Sequence, residues 1–408
     1  MDPLAARIVV LGAGQAGAAL VAKLRALGHH GPLALVGAEP EAPYQRPPLS
    51  KAYLKGEMAR DRLHLRPPSF YAEAGVDLVT GATAVAIDRR AQEVRLADGR
   101  TLPYDRLALT LGAAPRRLPA GIGGDLDGVL VLRSLADADA LAARLVPGAR
   151  ALVVGGGYIG LEGAASMVAA GLAVTLIEAA PRILARVAAP PTADYFRALH
   201  RAHGVDLREG AGLAFLRGDA GRVAGATLSD GATLDADLVL VGIGVAPETD
   251  LAEAAGLAVG NGIRVDEAGR TSDPAIFAAG DCASFPHAGR MIRLESVPHA
   301  IEHAEAVAAS LLGRDVAYLA RPWFWSDQYD VKLQIAGLAD GWERTVERAG
   351  ARPGAHSVWY FAGDRLLAVD AMSDPRAYMT AKRWIEAGRS PDPDRLADPA
   401  ADLAALVA

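Results

Sequence analysis

Two sets of three glycines, Gly12, Gly14 and Gly17 and then Gly155, Gly157 and Gly160, share the spacing G-x-G-x-x-G. Each set follows a short apolar strand and opens an alanine-rich helix. The chemistry served by this spacing is phosphate binding. The first glycine permits the tight turn, the second lets backbone approach a pyrophosphate, and the third lets helix pack on strand, so that the helix N-terminus faces the phosphates. A carboxylate roughly 20 residues further on takes the ribose hydroxyls of such a ligand. Glu39 closes "LALVGAE" and Glu178 closes "LAVTLIE" at that distance. Solvated acids at strand ends are the plain alternative, but that coincidence would have to occur twice. The residues therefore predict two dinucleotide sites.

Other reactive side chains are few. Cys282 is the single cysteine, which excludes an internal disulfide, a C-x-x-C pair and an iron–sulfur cluster held by four cysteines of this chain. It reads as a small buried residue, since a catalytic thiol needs a base or a resolving partner. His299 and His303 lie four apart on a predicted helix, but no third ligand of recognisable spacing accompanies them, so no metal is expected.

The elements that must position these groups also repeat. "VRLADGRTLPYDRLALTLG" (Val94 to Gly112) and "ATLSDGATLDADLVLVGIG" (Ala226 to Gly244) share alternating apolar positions, an Asp-Gly turn and an apolar strand closing on glycine. Each half thus reads as strand, glycine turn, helix, strand, meander and strand. The fold expected is α/β: two doubly wound, Rossmann-like dinucleotide-binding domains followed by a C-terminal α+β domain of aromatic strands with the helix "PRAYMTAKRWIEAG". The boundaries expected are 1–116 and 247–321 for a discontinuous first domain, 117–246 for the second and 322–408 for the third.

A net charge of −6 without a basic run argues against nucleic acid as a partner. No apolar stretch approaches the roughly 18 residues of a membrane span, and the first strand begins too early for a signal peptide. A soluble, cytoplasmic protein is expected.

The segments "QRPPLSKAYL", "VVGGGYIGLE", "GDCASF", "RLESVPHAIEHA" and "PWFWSDQYD" resemble the flavoprotein reductases of the glutathione-reductase fold, and among them the ferredoxin reductases of bacterial monooxygenases and ring-hydroxylating dioxygenases. This resemblance spans nearly the whole chain. It implies that the first half holds FAD and the second NADH. Ala38 departs from relatives, which often have an acid there, and leaves the ribose contact to Glu39 beside it.

The resemblance further implies that Lys51 reaches the flavin N5 region and pairs with Glu162. Tyr158 resembles the aromatic that covers the flavin until nicotinamide displaces it, with a packing tyrosine as the alternative. Asp281 would receive a ribityl hydroxyl. The amides of Val297 to His299, at a helix start, would face the flavin N1–C2 region. FAD contacts are further implied at Ala16, Arg46, Ala84 and Arg133, and nicotinamide contacts at Ile159 and Gly242. Trp325 either lies over the flavin's dimethylbenzene side or fills the third domain's core.

Glu178 repels a 2′-phosphate and so favours NADH, with Arg182 the one basic residue close behind it. The implied activity is electron transfer from NADH through FAD to a 2Fe-2S ferredoxin, with rubredoxin as an alternative carrier. A non-enzymatic NADH-sensing flavoprotein resembling apoptosis-inducing factor is the competing reading. Arg66, Arg293, Lys332 and Arg383 are candidates for a basic patch that meets an acidic ferredoxin.

Overall fold

The computed structural model describes residues 2–398 and 400–407. The chain forms two compact units. One comprises residues 1–45, 60–114 and 246–322, and the other residues 46–59, 115–245 and 323–408.

The core of the first unit is a five-stranded parallel sheet. Its strands run in the order Ile276–Ala278, Arg106–Leu109, Ile8–Leu11, Leu33–Val36 and Asp77–Val79. Ile8–Leu11 is buried along its whole length, as befits a central strand covered on both faces. The predicted meander is a separate antiparallel sheet, Ala84–Asp88, Glu93–Leu96 and Thr101–Pro103, turned at Gly99 with φ +90°.

The second unit repeats the plan. Its parallel sheet runs Asp206–Glu209, Ala173–Glu178, Arg150–Val154, Leu238–Val241 and Val129–Leu130. An antiparallel sheet of Leu213–Asp219, Arg222–Leu228 and Thr233–Asp235 turns at Gly231. The two parallel sheets differ at one edge. In the first unit the edge strand Ile276–Ala278 comes from late in the chain, whereas in the second Val129–Leu130 enters before the glycine turn.

The second unit also contains a five-stranded antiparallel sheet in the order Trp323–Gln328, Val331–Gly337, Arg365–Met372, His356–Ala362 and Arg344–Ala349. Strand alternation divides the tasks of "WFWSDQ". Trp323 packs toward the helix Pro375–Glu386, against Tyr378 at 6.4 Å. The alternate residues Phe324, Ser326 and Gln328 meet Tyr158, Glu162 and His200 of the nucleotide-binding half. The short 46–59 segment belongs to this second unit and not with the residues on either side of it.

Candidate functional site

The glycine turns have the division of labour expected from their spacing. A Cβ on Gly12 would sit 2.1 Å from the Thr110 carbonyl oxygen, and one on Gly17 would sit 2.1 Å from the Gly12 carbonyl oxygen. A Cβ on Gly14 would meet nothing within 4 Å. In the second turn a Cβ on Gly155 would lie 2.5 Å from the Gly242 oxygen and one on Gly160 would lie 2.0 Å from the Gly155 oxygen, while Gly157 has nothing nearer than 3.9 Å. The outer glycines are thus packed and the middle ones face open space.

The helices that follow, Gln15–Ala26 and Tyr158–Ala169, have no side-chain N-cap and no acid in the first turn. By contrast, Ser134, Ser296 and Asp374 cap the helices behind them. Two uncapped helix starts beside open cradles suit pyrophosphate groups, so the residues present fit FAD and NADH. Thr110, which the sequence reading passed over, braces the first turn by donating to the Leu11 and Gly12 carbonyls at 3.0 and 2.8 Å.

In the first unit the remaining candidates converge from three elements. Gly280, at φ +77°, has room for a Cβ only 3.0 Å from the Ala16 Cβ and 3.9 Å from Ala300. Ala16, the Gly280–Asp281 turn and the helix that starts at Val297 are therefore neighbours. The amides of that helix differ from the expectation. Pro298 has no N–H, and the His299 N–H donates to Ser296 Oγ at 3.3 Å, so two of the three expected donors are taken. Glu39 accepts a hydrogen bond from the Tyr44 hydroxyl. Ala84 starts an edge strand of the small sheet, half-buried. Cys282 is fully buried, its thiol pushed up to about 11 by burial and donating to the Leu109 and Ala279 carbonyls. A fully buried thiol donating to two carbonyls has, among the described residues, neither a base nor a resolving partner beside it, so Cys282→Ala is expected to leave NADH-dependent turnover within about twofold of wild type in a steady-state assay.

Arg293 is a correction. Only 10% of its side chain is exposed. It pairs with Glu295 at 2.6 Å and donates to the Asp281 carbonyl at 3.1 Å, so it braces the Asp281 turn and does not present a cation to a partner.

In the second unit, Glu162 lies one turn after Tyr158 and one before Ser166 on the same helix face. Ser166 Oγ donates to the Ser50 carbonyl at 2.6 Å and so ties the "RPPLS" segment to this helix. Lys51 Nζ lies 2.6 Å from Glu162 Oε2, which Ser50 Oγ also approaches at 2.6 Å, and Ser326 Oγ donates to Oε1 at 2.7 Å. The carboxylate is 3% exposed and has three donors, the conditions under which a buried charge is tolerated. Arg46 donates to the Arg133 carbonyl at 2.7 Å, which joins two of the candidates.

Tyr158 packs on Phe324 at 4.7 Å and its hydroxyl is buried. Trp325 is half-buried and touches Trp323 at 5.6 Å. Ile159 is 41% exposed beside the second glycine turn. Glu178 accepts from the Gly156 and Ala180 amides, both at 2.7 Å, so its carboxylate is pinned at the turn. Arg182 is occupied elsewhere, donating to the Ala188 carbonyl at 2.6 Å.

Comparison with known proteins agrees across the chain. The model of the pyridine nucleotide-disulphide oxidoreductase family matches residues 6–304, and that of the reductase C-terminal domain matches residues 323–407. Putidaredoxin reductase of Pseudomonas putida is 42% identical over 98% of this chain and 96% of its own length. The ferredoxin–NAD(+) reductase component of the anthranilate 1,2-dioxygenase system of Burkholderia cepacia is 42% identical over 97% of this chain and 98% of its own. The crystal structure of the covalent putidaredoxin reductase–putidaredoxin complex superposes with a TM-score of 0.94, covering 98% of both chains at 42% identity.

Proposed function

The chain belongs to the pyridine nucleotide-disulphide oxidoreductase family, and from that premise we propose that it is an FAD-dependent NADH:ferredoxin reductase serving an oxygenase. The observation that carries the reading is the pair of open glycine cradles in a chain whose relatives over nearly its full length are reductases of oxygenase systems. One NADH gives NAD+, a proton and two electrons, and two one-electron carriers each take one. With a single cysteine, the chain leaves the iron–sulfur cluster to a separate 2Fe-2S ferredoxin.

When bound, FAD supplies the step between a two-electron donor and a one-electron acceptor. The rest falls to the chain. In this reading residues 1–116 and 247–321 hold FAD, 117–246 hold NADH, and 322–408 complete the enzyme. Gly14 and Gly157 would admit the pyrophosphates, Glu39 and Asp281 would take hydroxyls of the FAD, and the paired Lys51 and Glu162 would supply a fixed cation and anion beside the flavin N5. The absence, among the described residues, of a helix long and apolar enough to cross a membrane is consistent with the cytoplasmic location we propose.

The test is anaerobic. Purified protein should carry flavin absorbance, bleach with NADH, and then reduce a 2Fe-2S ferredoxin faster than rubredoxin. Protein that binds no FAD after reconstitution, or that is reduced by NADH yet passes electrons to neither carrier, would overturn the reading.

Coenzyme choice gives a further expectation. Glu178 is held by two amides, and Arg182 is engaged with a backbone carbonyl. Glu178→Ala with Ala179→Arg should shift the kcat/KM ratio of NADH to NADPH toward NADPH by roughly 100-fold, the size of a gained charge pair together with a lost repulsion. An unchanged ratio would mean that the ribose is read by other residues.

A further inference from the structure

A line of hydrogen-bonded side chains leads away from Glu162. Ser326 Oγ lies 2.7 Å from Glu162 Oε1, Gln328 Nε2 3.2 Å from Ser326 Oγ, His200 Nε2 2.9 Å from Gln328 Oε1, and the Tyr329 hydroxyl 3.2 Å from His200 Nδ1. Ser326, Gln328 and His200 are fully buried, and Tyr329 is half-buried beneath the stacked ring of His203. None of these four residues belongs to the glycine turns or to the Lys51–Glu162 pair itself.

The sense of the chain follows from its one charged end. An ionised carboxylate only accepts, so Ser326 must donate to it. Ser326 Oγ then accepts from the Gln328 NH2 group, which turns the amide oxygen toward His200. His200 must therefore carry its proton on Nε2, and its bare Nδ1 accepts from Tyr329. Four donors thus point the same way, an arrangement in which each bond polarises the next.

Two further observations fit. Burial lowers His200 to about 4, so it is neutral at pH 7 and has a tautomer to be set, and burial raises the Tyr329 phenol above its usual value, which keeps it a donor. Tyr329 also holds φ at +55°, an unfavourable region for a bulky residue, in the turn after Gln328. From this turn its hydroxyl reaches His200 Nδ1 at the chain's outer end.

We propose that Tyr329, His200, Gln328 and Ser326 form a one-way donor chain that holds the Glu162 carboxylate aimed at Lys51, so that the acceptor at position 162 sets the tautomer of His200. His200 and Gln328 are positioning residues in this scheme and touch no substrate. The proposal rests on the reductase reading only for its kinetic consequence.

Glu162→Gln makes the sharpest test. Lys51 and Ser50 both donate to the Oε2 side, so a glutamine there must turn its oxygen to them and its NH2 to Ser326. Every later link then reverses, and the His200 proton moves to Nδ1. Holoprotein labelled with nitrogen-15 histidine, with the His200 signals identified by their loss in His200→Gln, should show the Nε2–H form in wild type at pH 7 and the Nδ1–H form in Glu162→Gln. Ser326→Ala, which cuts the link without touching the pair, should let the Nδ1–H form appear beside the other. Gln328→Met should slow flavin reduction by NADH about tenfold at an unchanged NADH Kd, as expected for one weakened charge-assisted hydrogen bond. An Nδ1–H tautomer in wild type, or an identical pure Nε2–H tautomer in all three proteins, overturns the chain. If the protein proved not to be a reductase, only the kinetic arm would fall and the tautomer arm would still be read.

Discussion

Lys51→Met is expected to slow flavin reduction by NADH by roughly 100-fold or more, the usual size of a lost preorganised charge at a reacting centre, while the purified protein stays yellow. Lys51 is held at three points, 2.6 Å from Glu162, 3.2 Å from the Pro47 carbonyl and 3.3 Å from Ser50 Oγ. That rigidity is what a catalytic cation requires, because a surface lysine would lose the benefit to side-chain motion. The two ends of the pair should fail differently. Glu162 is 3% exposed against 17% for Lys51, so removing the lysine strands the more deeply buried charge, although Ser50 and Ser326 still donate to it. Lys51→Met should therefore lower stability by about 2–4 kcal/mol, close to the range for breaking a buried pair. Glu162→Ala should lower it less but slow reduction comparably, because Lys51 is then free to turn away. In the double variant the kinetic losses should not multiply, since either single change already dissolves the pair. Stopped-flow reduction traces of the three variants, with FAD content measured beside them, test this. Loss of FAD with normal reduction in the remaining holoprotein would show that the pair serves binding and not transfer.

What the sequence disclosed was what lies close along the chain. The glycine turns, the acids that follow them and the Asp-Gly meanders each occupy a few dozen residues, and each has a steric reason tied to residue type. The alternation of "WFWSDQ" was visible too, but not its meaning. Nothing in hydropathy tells that Ser326 and Gln328 are fully buried polar residues, since their partners Glu162 and His200 come from segments more than a hundred residues earlier. The placement of residues 46–59 in the second unit escaped for the same reason: it depends on Ser166 grasping the Ser50 carbonyl across 116 positions.

Two misreadings had signals that were present. Ser296, three residues before His299, is a standard N-cap spacing, so the His299 amide was already committed. Arg293 carries a Glu two positions on, within reach along a short extended stretch, and the two neutralise each other. The three remaining basic candidates are all exposed: Lys332 lies 3.3 Å from Asp327, Arg66 lies over the Phe70 ring, and Arg383 sits on the last turn of Pro375–Glu386. Partner docking is therefore better sought in these side chains than in Arg293.

Single alanines in the glycine turns should separate the two nucleotide sites. Gly160→Ala places a Cβ 2.0 Å from the Gly155 carbonyl oxygen, a backbone atom that cannot swing aside, and so must distort the second turn. The protein should remain yellow yet need roughly 100-fold more NADH for half-maximal reduction, while dithionite still bleaches it normally. Gly17→Ala makes the matching clash in the first turn, 2.1 Å from the Gly12 oxygen and 3.1 Å from Leu35 Cδ1. The gain in helix propensity from glycine to alanine is only about 1 kcal/mol, too little to offset a backbone overlap, so this variant should lose both FAD and apoprotein Tm. Gly14→Ala is the discriminating case, because its Cβ meets no protein atom within 4 Å. Its apoprotein should melt with wild type, within a degree or so, and still release FAD on desalting if a pyrophosphate occupies that open space. Gly14→Ala that retains FAD like wild type would show that the phosphates lie elsewhere, and Gly160→Ala that is reduced by NADH at the wild-type concentration would remove the second turn from coenzyme binding.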